Sequence, residues 1–211
     1  DFSSRMADRA ETRLAEEGFG DARCIVSNAE SLPFEDASFR LAVSNFGVML
    51  ASDHDSAFSE LFRVLEAGGR MAMTCWTNAE HHDFFRAVMK AREEALPDFE
   101  RDEPPAWERI QDPDTLCDAL ERAGFEDVAV ETVRRIWKLP SAELVVESID
   151  STSPGIHTLF KSISEDQKSR FKDALRQHLT AESGEGALEL EAEARIARAS
   201  KSLGTRDTSH Q

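Results

Sequence analysis

Tyrosine is absent from the 211 residues, cysteine occurs three times, and no stretch approaches the roughly 18 uncharged apolar residues that a membrane span requires. Cys24, Cys75 and Cys117 lie far apart, with no CxxC and no Cys/His cluster. That spacing indicates neither a zinc site nor a disulfide framework, and it fits reduced thiols in a cytoplasm. Positive charge is also scarce: 25 Lys and Arg stand against 41 Asp and Glu, for a formal charge of −16. A nucleic-acid partner is disfavoured, because phosphate binding needs a basic face that releases counterions. Lysine is confined to positions 90, 138, 161, 168, 172 and 201, and the acids are scattered rather than blocked, a balance that resembles salt-adapted proteins. What is present is enough for a core, since 40% of the residues are hydrophobic. One acidic globular domain is expected. Residue 1 is Asp and nothing at the start resembles a signal peptide, so the sequence is expected to be a fragment.

Met6, Ala10 and Leu14 recur every four residues between Ser3 and Gly18, which predicts an amphipathic helix. Cys24-Ile25-Val26 and Phe39 to Val43 are short apolar runs, each followed by Ser-Asn, and read as buried strands with a Pro33-containing loop between them. Ala57, Phe58, Leu61, Phe62 and Leu65 mark a helix face that Gly68-Gly69 is expected to terminate, ahead of a buried strand from Met71 to Trp76. Phe84, Phe85, Val88 and Met89 define another helix, and Pro97, Pro104 and Pro105 an extended connection carrying Trp107. Asp112-Pro113 supplies the N-cap and first residue of a helix containing Leu116 and Leu120. Val128, Val130 and Thr132 alternate onward to Ile136 as a half-buried strand. Residues 141–183 read as a helical cover, with Phe171, Leu175 and Leu179 on one face. Leu188, Leu190, Ala192, Ala194 and Ile196 alternate strictly as a long strand, and residues 201–211 as a disordered tail.

Helices interleaved with short strands predict an α/β fold: a doubly wound, mostly parallel sheet with an antiparallel C-terminal edge. In such sheets ligands sit beyond the carboxyl ends of the strands. The residues there include Asp1, Asn28, Asn45 and Trp76.

Four segments resemble class I S-adenosylmethionine-dependent methyltransferases, of the type 11 group that includes the ubiquinone and menaquinone biosynthesis enzymes. Asp1-Phe2-Ser3-Ser4-Arg5-Met6 is similar to the family's acidic strand end and following helix. Asn28-Ala29-Glu30-Ser31-Leu32-Pro33-Phe34, with Asp36 to Phe39, resembles its D-A-x-x-L-P-F-x-D-x-S-F loop. Ala42 to Met49 resembles its fourth strand and the loop behind it, and Leu61 to Arg70 its R-V-L-x-P-G-G-R turn. The resemblance spans about the first 80 residues in the family's order. It implies a Rossmann-like methyltransferase domain over residues 1–200, S-adenosyl-L-methionine as cofactor and a small-molecule methyl acceptor. Asp1 would accept the ribose hydroxyls, Phe2 would lie on the adenine, Asn28 and Ala29 would meet its edge, and Asn45 would line the methionine end.

Asn28 stands where the family usually has Asp, which implies weaker adenine binding. The family's first strand and Gly-rich turn have no counterpart in this sequence, so the fold is expected to lack its first strand and most of its second. In the family's strand order 3-2-1-4-5-7-6 that leaves a gap of about 14 Å, unless Cys24–Val26 pairs directly with Leu41–Val43. The alternative function is a non-catalytic remnant that at most binds a partner. A nicotinamide-dependent reductase is disfavoured by the absence of Tyr and of a suitable Gly-rich turn. No catalytic residue is assigned, because methyl transfer can rest on placement alone; His54, His81 and His82 are candidates for an assisting base, each weighed against an ordinary structural role. No metal site is expected, and Asp53-His54-Asp55 reads as a helix-capping turn. Cys24 and Cys75 read as inert thiols within apolar runs.

Overall fold

The computed structural model describes residues 3–99, 104–183 and 186–203. Helix α1 (Ser4–Glu16) starts where the Ser3 hydroxyl accepts a hydrogen bond from the Met6 N–H at 3.3 Å, as an N-cap does. Its expected apolar face is largely open: Met6 is 55% exposed, and Ala7 is the residue that is buried. Periodicity records the face that a helix can bury, and among the described residues little covers this one.

Residues 22–27 then run without regular structure, and Ile25 and Val26 are exposed. The strand expected at Cys24–Val26 is absent, and so is its pairing with Leu41–Val43. A short apolar run becomes a strand only when a neighbour takes its backbone hydrogen bonds. Strand β1 (Phe39–Asn45) does form, and it pairs in parallel with β2 (Leu65–Trp76), Leu41 opposite Arg70 and Asn45 opposite Thr74. It lies at the edge of the sheet, however, so Leu41 and Val43 are 60% and 69% exposed rather than buried.

Between β1 and β2 runs α2 (His54–Val64), whose Phe58 is fully buried. Gly68-Gly69 do not end this helix: it stops at Val64, and both glycines lie inside β2, where the register with β1 slips between Phe39 and Leu41. Gly68 takes φ +78°, and a Cβ on Gly69 would stand 2.8 Å from the Glu66 carbonyl oxygen, so this bulge needs both glycines. The helix end is capped instead by Lys201, whose ammonium donates to the Phe62 and Leu65 carbonyls at 2.8 and 2.7 Å and lies 4.5 Å from the Phe62 ring centre. The beginning of the expected tail is therefore anchored, while residues 204–211 lie outside the described part.

The chain then runs through α3 (Asp83–Ala95), α4 (Pro113–Arg122), β3 (Glu126–Leu139), α5 (Ala142–Thr152), α6 (Pro154–Ser162), α7 (Glu165–Ser183) and β4 (Leu188–Ser200). Asp112 caps α4, accepting from the Asp114 and Thr115 N–H groups, with Pro113 as its first residue. Trp107, expected in an extended connection, sits in a 3-10 turn, Ala106–Ile110. The sheet order is β1-β2-β4-β3. Lys138 pairs with Glu189 and Arg195 with Thr132, rising numbers on β3 against falling numbers on β4, as antiparallel neighbours require. The sheet is thus mixed.

Contacts divide the chain into two compact units. Of the described residues, the first comprises 3–76, 105–132 and 195–203, around a core of Phe58, Leu65, Met73, Leu116 and Leu120. The second comprises 77–99, 104, 133–183 and 186–194, around Ala91, Val146, Phe171, Leu175, Leu179 and Leu190. Strand β4 feeds both cores and changes phase between them. Leu188 and Leu190 are buried upstream, whereas Ala197 and Ala199 are buried downstream. The expected inward Ile196 is therefore exposed.

Candidate functional site

In the first unit the carboxyl ends of β1 and β2 are tied together by one hydroxyl. Thr74 Oγ1 accepts from the Phe46 N–H at 2.9 Å and donates to Asn45 Oδ1 at 2.8 Å. Phe46 takes φ +54° and stacks on Trp76 with ring centres 4.0 Å apart. Ser44 Oγ accepts from the Val48 N–H at 2.8 Å and shapes the turn that follows. Asn45 itself is exposed, and its two amide N–H donors take no partner among the described residues.

The segment carrying Asn28 is held by a residue that the sequence reading passed over. Glu30 Oε1 accepts from the Ser52 and Asp53 N–H groups at 2.7 and 3.0 Å, just ahead of α2, while Asn28 donates its amide to Glu30 Oε2 at 3.3 Å. The Asp53 N–H, helped by those of Ser52 and Asn28, holds the Glu30 carboxyl below its ordinary range. Asn28 Oδ1 accepts from the Glu30 N–H at 3.1 Å and keeps a second lone pair. The Ala29 N–H has no partner among the described residues. Glu30 thus clips the Asn28 turn to the loop that follows Asn45. Glu30→Gln is expected to release it: amide hydrogen exchange at Ser52 and Asp53 should quicken, and unchanged protection there would show that the clip is not needed.

Downstream of the turn, Arg63 fastens the Leu-Pro-Phe loop to α2. Its guanidinium donates to the carbonyls of Leu32 and Phe34, to Asp36 and to both oxygens of Glu60, which in turn accepts from the Leu32 N–H at 2.7 Å. The acids of the Asp53-His54-Asp55 run have separate partners: Asp53 caps α2, and Asp55 accepts from the Arg122 guanidinium of α4 at 3.0 Å. Asp53 accepts from the Ser56 hydroxyl and N–H, and these bonds lower its carboxyl. His54 is buried, with Nε2–H donating to the Met49 carbonyl at 3.0 Å. Cys75 is buried in β2, and burial pushes its thiol up to about 11, far from a reactive state.

Asp1 and Phe2 lie outside the described residues. Of the remaining expected site residues, Asn45 sits at the end of β1, and Asn28 and Ala29 in the turn clipped to the loop beyond it. No cluster of His, Cys, Asp or Glu suited to a metal occurs among the described residues.

The second unit holds a polar group that alternation hid. Glu193 falls on the face of β4 expected to be polar, yet its side chain is only 4% exposed. Burial alone would raise its carboxyl, but Arg134 Nε at 2.6 Å, the Thr77 hydroxyl and His81 Nδ1 at 2.9 Å together outweigh that and hold it below the ordinary range. Behind it the Glu193 N–H donates to His82 Nδ1 at 3.4 Å, which leaves His82 Nε2–H facing Thr77 Oγ1 at 3.3 Å; that hydroxyl donates to the Glu193 carbonyl at 3.4 Å. Burial lowers the His82 pKa to about 4, so the imidazole is neutral at pH 7. His82, one of the candidate bases, is buried.

The strand order reproduces the 4-5-7-6 run of the methyltransferase sheet, and solved structures bear out that fold. The [4+2]-cyclase SpnF aligns with a TM-score of 0.57 at 19% identity, over 96% of this chain and 65% of that one. The Haemonchus contortus phosphoethanolamine N-methyltransferase 2, solved with S-adenosyl-L-methionine, aligns with a TM-score of 0.52 at 17% identity, over 96% and 42%. Sequence then narrows the likeness: the model of the ubiE/COQ5 methyltransferase family matches residues 1–101. The chain is 30% identical over 140 residues to the ubiquinone/menaquinone biosynthesis C-methyltransferase UbiE of Shewanella halifaxensis, covering 61% of this chain and 55% of that one. It is 32% identical over 111 residues to the uncharacterized protein Mb1440c of Mycobacterium bovis, covering 52% and 39%. The aligned region is thus about half, or less, of these relatives' length.

Proposed function

We propose that the protein transfers a methyl group from S-adenosylmethionine to a small molecule. The observation that carries this reading is the end of β1, where Asn45 presents open amide donors beside the Phe46–Trp76 stack in a sheet of the methyltransferase order. The residues present fit such a cofactor in part. The Asn28 lone pair and the Ala29 N–H together form an acceptor and a donor suited to an adenine edge, and the Asn45 amide can donate to the carboxylate of the methionine portion. Asp1 and Phe2 are assigned to the ribose and the adenine face on resemblance. When bound, the cofactor supplies a sulfonium-activated methyl group; the chain's own contribution is to hold the reactants and exclude water.

The UbiE relative is named for quinone biosynthesis, which supports a small organic acceptor. The helical segment 141–183 is proposed to govern acceptor choice, and a cytoplasmic location accords with buried, unreactive Cys75 and with the lack of a described helix long and apolar enough to cross a membrane.

Calorimetric titration of the full chain with S-adenosylhomocysteine tests the cofactor assignment. Binding is expected, and Asn45→Ala should weaken it about tenfold, the worth of one hydrogen bond to a charged group. No heat with the unaltered chain, or equal affinity in both, overturns the assignment.

A further inference from the structure

Within the first unit, a groove of about 320 Å³ lies between residues 52–55, at the start of α2, and the segment that runs from Arg109 into α4; its size is that of a small-molecule site. His54 is the most enclosed of its polar side chains, with the residue only 7% exposed. The Met49 carbonyl can only accept, so the ring proton sits on Nε2, and in the neutral imidazole Nδ1 carries a lone pair. No described residue donates to that nitrogen. Nor is it sealed off: no buried polar side-chain atom among the described residues lacks a partner, so Nδ1 reaches solvent, and the groove is the opening that His54 lines. Stacking on Phe58, with ring centres 5.9 Å apart, fixes the orientation of the imidazole. Charged groups with spare capacity stand around it. Arg109, exposed, donates from Nη1 to the Ser52 carbonyl at 3.0 Å, and Arg122 donates from Nη2 to Asp55 Oδ1 at the same distance. A guanidinium has five N–H donors, so most of both remain open, and Asp55 Oδ2 takes no partner among the described residues. Asp53, the other acid at the groove, is committed to Ser56. Ile110 and Ala119, both buried, supply an apolar lining.

We propose that this groove binds a free α-amino acid with a small apolar side chain. The carboxylate bridges Arg109 and Arg122, the ammonium donates to His54 Nδ1 and Asp55 Oδ2, and the side chain lies on Ile110 and Ala119. Chemistry selects the zwitterion. A phosphate dianion would face Asp53 and Asp55 as well as the guanidiniums, and an amine without a carboxylate would face two cations. A carboxylate without a donor would leave the imidazole lone pair unmet. The binding requires neither S-adenosylmethionine nor a methyl acceptor, and so does not depend on the function proposed above.

The test is a ligand-observed NMR titration of the full chain with L-valine and no cofactor. L-valine should bind with a Kd of about 1 mM or tighter, within reach of a ligand of its size. Isovalerate, which is valine without the ammonium, and L-valinamide, which lacks the carboxylate, should each bind about tenfold more weakly. His54→Gln keeps an N–H for the Met49 carbonyl but removes the Nδ1 lone pair. It should weaken L-valine about tenfold and leave isovalerate unchanged, a distinction that a general loosening of the groove would not make. Arg122→Gln, at an exposed side chain, should instead weaken L-valine and isovalerate alike, and it carries the test if His54→Gln fails to fold. No binding of L-valine, or equal losses for the two ligands in His54→Gln, overturns the proposal. Displacement of L-valine by S-adenosylhomocysteine also overturns it, because the amino acid would then occupy the methionine end of the cofactor site. Failure of S-adenosylhomocysteine to bind would instead count against the cofactor assignment and leave the L-valine result standing.

Discussion

Phe58→Ala is expected to lower the unfolding free energy by about 3–5 kcal/mol, because the ring is fully buried and its removal leaves a cavity that neighbours refill only in part. Phe58 lies on the helix whose start accepts the Glu30 clip and whose last turn anchors the Leu-Pro-Phe loop through Arg63. Loss of this packing should therefore loosen the Asn28 turn as well as the core. Urea unfolding followed through Trp76 and Trp107, both packed against the same core, would measure it. A loss below about 1 kcal/mol would mean that the core closes over the gap and that Phe58 is not the keystone of this helix.

Acidification should weaken the fold well before the carboxylates titrate. His82 has a folded pKa of about 4 and an unfolded value near 6.5, so between these limits the unfolded chain binds more protons. Stability therefore falls as pH drops through that window. The full loss, about 3 kcal/mol, is reached below about pH 4. Glu193 acts in the same direction but lower: its depressed carboxyl stabilises the fold above the unfolded carboxylate pKa, and that contribution is lost as pH falls through its folded value. His82→Phe should flatten the slope between pH 6.5 and 4 while leaving the more acidic part. Urea midpoints taken across this range check the prediction, and an unchanged slope in the variant would remove His82 from the account.

Much of the fold was legible where local chemistry and burial agree. Asp112-Pro113 marked its helix start because a cap and a first-turn proline act within a few residues. Phe171, Leu175 and Leu179 marked a buried face because nothing competes with packing in a polar helix. Legibility failed where the outcome depends on a distant partner. The apolar character of Cys24–Val26 could not say that no strand lies beside it, and Gly68-Gly69 announced a tight backbone without saying whether it ends a helix or bulges a strand.

The candidate site divides in the same way. Asn45 stands at the end of β1 as its flanking segment led one to expect, whereas Asn28 follows a segment that forms no strand, and the residues that hold their surroundings were not legible. Glu30 is an acid in a loop and Glu193 an acid on an alternating strand, both ordinary in a chain of this charge. Only the N–H groups of Ser52 and Asp53, and the side chains of His81 and Arg134, give them their roles. The one readable sign was His81-His82 a few residues beyond the end of a strand.

Strand β4 is the latest of the four in sequence, yet it lies between β2 and β3. As the chain emerges from a ribosome, β2 and β3 are both made before the strand that joins them exists. Until residues 188–200 appear, each carries an unsatisfied backbone edge open to mispairing with another nascent chain. Closing the sheet also requires contacts between residues far apart in sequence, such as Gly68 with Lys201, which slows folding. Production of this protein should therefore be limited by the interval between synthesis of β2 and arrival of β4, and lower temperature or chaperone supply during that interval should raise the folded yield.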